Sequence, residues 1–330
     1  MKKIFLCLLL VGLFLTGCGN NNTKNVVANL NKKISDLKGY IIEGNLEIIN
    51  NDETFNYRVI VNYKANDYYK VVLKNIKNNH EQIILKNDDG VYVVTPSLNK
   101  SFKFQSDWPY NNSQVYILKN VVDDINNDSN NKVIEDNENY IIESKVNYPN
   151  NNSLVKQRVT VDNNLLFKRI EVLNNENMPL MTFIIDSVNY KPLFDESFFE
   201  INSIINNSEP EENTETSTIN DIIYPLYIPV GTSLTNEEKV SKTDGERVIL
   251  TFGGDKSFTL VEETIKKEEE FTIVPTYGEP YLLTDTIGAL TTNSLNWISN
   301  GIEYYIVSDA MNQSELIKVA ESLVSVANMK

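Results

Sequence analysis

From Tyr40 to Tyr190 the apolar side chains recur with a period of two in one short run after another, and that period marks strands with one buried face. Tyr57, Val59, Val61 and Tyr63 alternate with Arg58, Ile60, Asn62 and Lys64. Asn66-Asp67 marks a turn, and Tyr69, Val71 and Leu73 then alternate with Lys70, Val72 and Lys74. The two runs read as an antiparallel hairpin whose apolar rows share a face. Further strands are predicted at Gln82–Lys86, Val91–Thr95 after the Asp89-Gly90 turn, Lys100–Phe104, Tyr140–Val146, Leu154–Val161, Leu166–Leu173 and Met181–Tyr190. Turns this short suit an antiparallel meander, because parallel strands each need a crossover of a dozen residues or more.

Two segments break the rhythm. Val27, Leu30, Ile34 and Leu37 step by three and four, which predicts a helix of about three turns stopped by Gly39. Val115, Leu118, Val122 and Ile125 predict a second helix within Ser113–Asn126. Pro192–Phe199 reads as a closing turn or a short helix. No apolar side chain lies between Ile205 and Ile219, so this stretch cannot bury enough surface to offset its ordering entropy. Residues 206–220 are therefore expected to form an acidic, disordered linker between one domain at 25–205 and another at 221–330.

The second domain has its own pattern. Tyr224–Thr232 is extended and punctuated by proline. Val248, Leu250 and Phe252 alternate up to the turn Gly253-Gly254-Asp255, and Phe258 and Leu260 alternate after it. Trp297–Val307 predicts another hairpin about Asn300-Gly301. Asn312 and Glu315 have the spacing of a capping box, and Leu316, Ala320, Leu323 and Ala327 form the stripe of a terminal helix. The expectation is a small α+β domain with that helix packed on its sheet.

The first 17 residues have the three parts of an export signal: Lys2 and Lys3, an apolar stretch from Ile4 to Phe14, and small residues before a cut. The stretch Leu15-Thr16-Gly17-Cys18 resembles the lipobox of bacterial lipoproteins. That resemblance implies a diacylglyceryl group, palmitate among its chains, on Cys18, with residues 18–24 as a tether on the outer face of the cell membrane. Cys7 falls in the removed segment, so no free thiol is expected in the mature chain. His80 is the sole histidine, too little for a zinc site, and it reads as a solvated strand residue. Without Lys2 and Lys3 there remain 28 basic against 45 acidic residues, a net of −17 that argues against a nucleic-acid partner. No Gly-x-Ser-x-Gly or His-Glu-x-x-His occurs. The pairs Asp123-Asp124 and Glu262-Glu263 read as solvated charge. The chain is thus expected to use neither metal nor cofactor and to be no enzyme; an enzyme of unrecognised type stands as the remote alternative.

Thr95–Gln114 is aromatic, marked by Pro96 and Pro109, and without simple period, and it carries Trp108 and Tyr110. Here the chain resembles the YdcC-like sporulation lipoproteins of endospore-forming Gram-positive bacteria, of the superfamily that includes LolA, LolB and RseB and, as a shorter relative, the germination lipoprotein GerS. The lipobox, the Tyr57–Leu73 hairpin, and the C-terminal runs Arg247–Phe252 and Trp297–Tyr305 fall in the same order. The resemblance implies a mainly β, α+β chain: an unclosed antiparallel β-barrel with helices plugging its open side, followed by the small α+β domain. It implies a non-enzymatic scaffold or regulator of an envelope protein in sporulation or germination, and alternatively a carrier of lipid or lipoprotein acyl chains. In either case the candidate ligand or partner face is Tyr57, Val59, Val61, Tyr63, Tyr69, Val71 and Leu73, with Trp108 and Tyr110.

Overall fold

The computed structural model describes residues 25–328 apart from 51–52, 111, 206–218, 220, 243–244, 266–269 and 300. The export signal, Cys18, the tether and nearly all of the linker lie outside the described residues. Helix α1 (Val26–Ser35) leads into β1 (Gly39–Asn50), β2 (Glu53–Lys64), β3 (Tyr68–Asn75), β4 (Glu81–Asn87), β5 (Gly90–Thr95) and β6 (Lys100–Phe104). Helix α2 (Leu118–Asn127) crosses to β7 (Lys132–Asp136), β8 (Asn139–Lys145), β9 (Lys156–Asp162), β10 (Phe167–Leu173) and β11 (Pro179–Asn189), and a short α3 (Ile201–Ile205) follows. The C-terminal part contains β12 (Thr232–Lys242), β13 (Gly245–Gly254), β14 (Phe258–Thr264), β15 (Thr272–Thr276), β16 (Glu279–Leu282), β17 (Ile287–Leu290), β18 (Ser294–Ser299), β19 (Ile302–Val307) and α4 (Gln313–Asn328).

The strand order explains the architecture. A twelve-stranded sheet runs β15-β6-β5-β4-β3-β2-β1-β11-β10-β9-β8-β7. The chain climbs outward from β1 to β6, is carried by α2 to the far edge, and returns from β7 to β11 beside β1. The edge strands β7 and β15 do not pair with each other, so the barrel stays open. Asn66 and Asp67 both take positive φ, 74° and 66°, as the tight turn between β2 and β3 requires. In that hairpin Val59 stands opposite Leu73, Val61 opposite Val71 and Tyr63 opposite Tyr69.

The inner face of this sheet is closed by the chain's own helices. Val26, Leu30 and Ile34 of α1, and Leu118, Val121, Val122 and Ile125 of α2, join one core with Val59, Val61 and Val71. The other arm supplies Val159, Val161, Ile170 and Phe183. The second helix starts at Leu118 and not at Ser113, because Ser113 is pinned: its N–H donates to Asn147 O at 2.8 Å, and its hydroxyl accepts from Asn147 N–H at 2.7 Å. On the outer face Ile83, Leu85, Tyr92 and Val94 are covered by Phe199 and Ile204. The Pro192–Phe199 segment is thus an irregular turn whose Phe194, Phe198 and Phe199 rings cluster about 5 Å apart, and the helix comes just after it.

The remaining seven strands form a second antiparallel sheet, β12-β13-β14-β19-β18-β17-β16. Leu316, Ala320 and Leu323 of α4 pack on it with Trp297, Tyr304 and Ile306; the Ala327 side chain lies outside the described residues. The capping box closes in both directions: Glu315 N–H donates to Asn312 Oδ1 at 2.9 Å, and Asn312 N–H donates to Glu315 Oε2 at 3.0 Å. Beyond the expected α+β arrangement, the C-terminal part also enters the first sheet. β15 pairs in parallel with β6, from Thr272 opposite Lys100 to Thr276 opposite Phe104. Ile287 and Ala289 of β17 join the half-barrel core. Buried hydrogen bonds secure this seam: Tyr57 hydroxyl to Thr284 O at 2.5 Å, and Ile287 N–H to Gln82 Oε1 at 2.6 Å.

Two expected outcomes follow from this packing. Val61→Glu would place a carboxylate among apolar side chains, at a cost of several kcal/mol against a total stability of about 5–15 kcal/mol. It should abolish cooperative melting, while Ile60→Glu, on the opposite and partly exposed face of β2, should retain it. Glu262 is buried on β14 and accepts the Ile223 N–H at 3.0 Å. Burial pushes its carboxyl from 4.5 up to about 7, with the Ile223 N–H acting the other way. The folded chain therefore holds this proton to higher pH than the unfolded chain does, so stability falls as pH rises from 4.5 to about 7 and is level above that. Glu262→Gln keeps the acceptor and carries no charge. Urea titrations at several pH values should show it removing a loss of up to roughly 3 kcal/mol.

Candidate functional site

The candidate face is where the alternation places it, on the inner side of β2 and β3. Tyr57, Val59, Val61, Tyr69, Val71 and Leu73 are buried there, and Tyr63 is half-buried. Trp108 and Tyr110 arrive from the loop after β6 and complete one end. The Tyr40 and Tyr63 rings lie 4.9 Å apart, as do those of Tyr63 and Tyr69, and Trp108 meets Tyr69 edge-on at 5.8 Å. Trp108 is buried and Tyr110 is half-buried. The structure thus brings all nine residues to one side of the sheet, eight of them sharing the core or the ring ladder and Tyr110 closing its rim.

That rim is tightly bonded. Tyr110 hydroxyl donates to Asp67 Oδ1 at 2.5 Å and lies 3.4 Å from the Tyr69 hydroxyl. The ammonium groups of Lys86 and Lys119 stand 5.0 and 4.9 Å from the Tyr110 ring centre. Lys86 also donates to Trp108 O at 2.8 Å, and Asn120 Nδ2 donates to Pro109 O at 3.0 Å. Burial raises the Tyr110 phenol well above its ordinary range and lowers Lys86, which Asp67 and Asp107 partly offset. These are bonds that hold the loop to the barrel end.

One open volume touches this rim, a polar cavity of about 450 Å³ beside α2 lined by Tyr110, Asn120, Asp124 and Asn147. The other open volumes lie away from the candidate face. A cavity of about 740 Å³ sits on the outer face, against Ile60, Lys70, Val72 and Lys74, and reaches Asp285 and Ser299. Another of about 460 Å³ lies at the seam between Ile48, Met181, Tyr281 and Ile317. A space of about 30 Å³ beside Val115, Tyr116 and Leu154 has room for about one water. His80 sits in the turn before β4, one residue short of the strand, with its N–H on Asn78 Oδ1 at 2.9 Å.

The paired carboxylates do not form dyads, but one member of each pair departs from the solvated reading: Glu262 is buried on β14 and Asp124 is largely withdrawn from water beside Ser113. Asp124 accepts from Ser113 Oγ at 2.6 Å and is pushed up to about 6 by burial, while Asp123 pairs with Lys119 at 2.9 Å. Glu262 and Glu263 are neighbours on a strand and point to opposite faces, Glu263 toward Lys242 and Arg247. Among the described residues no group of three or more His, Cys, Asp or Glu is placed to hold a metal ion. Among the same residues no helix is long and apolar enough to cross a membrane. The seam residues Gln82 and Thr284 carry no sequence signal, since nothing in a local pattern says that a distant strand will dock there.

No protein-family model matches the chain. Among solved structures it is similar to the MucA/MucB complex of Pseudomonas aeruginosa, at 12% identity and a TM-score of 0.33 over 92% of this chain and 98% of that one. It is also similar to the complex of the CwlD amidase with the GerS lipoprotein of Clostridioides difficile, at 20% identity and a TM-score of 0.32 over 52% of this chain and 98% of that one. Scores this low support no transfer of partner or activity. The sporulation protein YdcC of Bacillus subtilis (strain 168) is 34% identical over 329 residues, 98% of this chain and 97% of that protein. With identity of that level along nearly its whole length, the chain belongs to the family of sporulation protein YdcC.

Proposed function

We propose that the chain is a lipoprotein held on the outer face of the cell membrane through Cys18, and that it acts without catalysis as a scaffold or regulator of an envelope protein in sporulation. The observation that carries this reading is the filled inner face. The rows of β2 and β3 that a carrier would offer to an acyl chain are buried against α1 and α2. A ligand pocket for a molecule of that size would need a hollow of roughly 300–1,000 Å³. Of the cavities of such volume described above, two lie on the outer face and at the seam, where β2 and β3 contribute Ile60, Lys70, Val72 and Lys74, none of them from the candidate face. The third, beside α2, is lined mostly by Asn, Asp and Ser and meets the candidate face at Tyr110 alone. Membership of a sporulation-protein family supplies the setting. The sequence motif at Cys18 supplies the address, since two acyl chains on one residue anchor stably where a single chain binds marginally.

Metabolic labelling with an alkyne analogue of palmitate tests the anchor. The wild-type chain should take up label and fractionate with membranes. Cys18→Ala should take up none, leave the membrane fraction or remain uncleaved, and lower the yield of heat-resistant spores. An unlabelled wild-type chain would remove the lipoprotein reading, and full sporulation in cells lacking the chain would remove the functional one.

A further inference from the structure

Residues 222–230, Ile-Ile-Tyr-Pro-Leu-Tyr-Ile-Pro-Val, lie outside every helix and strand and run as a strap into β12. Its foot is fixed. Ile222 and Ile223 pack on the core of the second sheet, and the Ile223 N–H is held by Glu262. Pro225 and Pro229 are buried, and Pro229 O accepts the Thr232 N–H at 3.1 Å. The larger apolar side chains point the other way. Tyr224, Tyr227 and Ile228 are exposed, Leu226 is 69% exposed and Val230 is 95% exposed, and the row continues to Leu234 on β12. A strap that only covered a core would turn these side chains inward. Clustered apolar exposure of this kind marks an interaction surface.

The charges around the row narrow what can cover it. Glu237 accepts the Tyr224 hydroxyl at 2.6 Å, Glu238 beside it is exposed, and the exposed Asp255 carboxylate stands against Gly231. The nearby cations are engaged: Lys239 with Glu246 at 3.1 Å, Lys256 with Glu315 at 3.0 Å, and Lys318 over the Tyr227 ring at 6.0 Å. The row is therefore apolar with an acidic rim, on a chain of net charge −15. An anionic lipid surface would be repelled, and so would a second copy bearing the same rim. The two buried prolines fix the strap before binding, which lowers the ordering cost of docking into a groove.

We infer that the strap from Tyr224 to Val230 is the docking segment for a protein partner that presents an apolar groove edged by lysine and arginine. This gives a surface to the scaffold role proposed above and rests on that reading. The partner seats Leu226 and Val230 in its groove and sets its cations against Glu237 and Asp255.

The test uses the full lipidated chain in sporulating cells, with the photo-crosslinking residue p-benzoylphenylalanine at Leu226, at Val230 or, as a control, at Leu193, which is 99% exposed in the turn after β11. Irradiation should give one discrete protein adduct from the two strap positions and none from Leu193. The peptide captured from the other protein should be apolar and flanked by Lys or Arg. Glu237→Lys with Asp255→Lys should lower the adduct at least tenfold. Leu226→Asp with Val230→Asp should leave the melting temperature unchanged and reduce spore yield about as far as deletion does. Adducts with lipid, adducts with a second copy, adducts insensitive to charge reversal, or none from the strap would each overturn the inference. A partner captured from other surface positions alone would displace this surface and leave the scaffold role standing; normal sporulation without the chain would remove both.

Discussion

The half-barrel depends on the contact between the apolar rows of β2 and β3 and the two helices laid across them. A curved sheet with Val59, Val61, Val71 and Leu73 on its hollow side has two ways to remove that surface from water: it can hold a ligand, or it can bring its own elements in. Here α1 and α2 enter, and Leu30, Leu118 and Ile125 are fully buried against the strands. Protein interiors pack at crystal-like density, so once those side chains are seated little volume remains for a guest. The ladder of Tyr40, Tyr63, Tyr69 and Trp108 continues the filling to the rim.

The same contact shapes the rest of the molecule. With its inner face committed, the sheet meets other elements through its outer face and its edges. The outer face takes Phe199 and Ile204. The edge at β6 takes β15, and the end of the sheet at Tyr57 and Gln82 takes β17 and the Thr284–Ile287 segment. These seam bonds are buried, and a buried polar group deprived of its partner costs about 1–3 kcal/mol. The two sheets are therefore joined by groups that tolerate little separation, while the open volumes lie along the seam, on the outer face and beside α2 at the Tyr110 rim.

What was legible in the sequence was what local period and turn chemistry encode. The Tyr57–Leu73 hairpin, its Asn66-Asp67 turn and the Asn312–Glu315 cap appear where their residues placed them. Other elements were hidden for identifiable reasons. β12 shows no alternation because both its faces are largely exposed. β15 is five residues with Pro275 inside, tolerable on an edge strand, and its partner β6 lies far away in the chain. β7, Lys-Val-Ile-Glu-Asp, is another exposed edge. The candidate face was readable as a face. Whether it is hollow or filled was not, because that depends on how deeply helices from two distant segments enter it. The strap was visible as a proline-marked run, but only the fold shows that its prolines point in and its tyrosine, leucine, isoleucine and valine side chains point out.

The central claim is that the chain fills its own half-barrel. Native mass spectrometry addresses it most directly, on the chain purified without detergent and carrying Cys18→Ser so that no covalent lipid confuses the mass. The account predicts the mass of the bare polypeptide, unchanged after incubation with excess palmitic acid. A stoichiometric lipid adduct that is lost when Val59 or Val71 is enlarged to Phe would place a guest against β2 and β3 and contradict it.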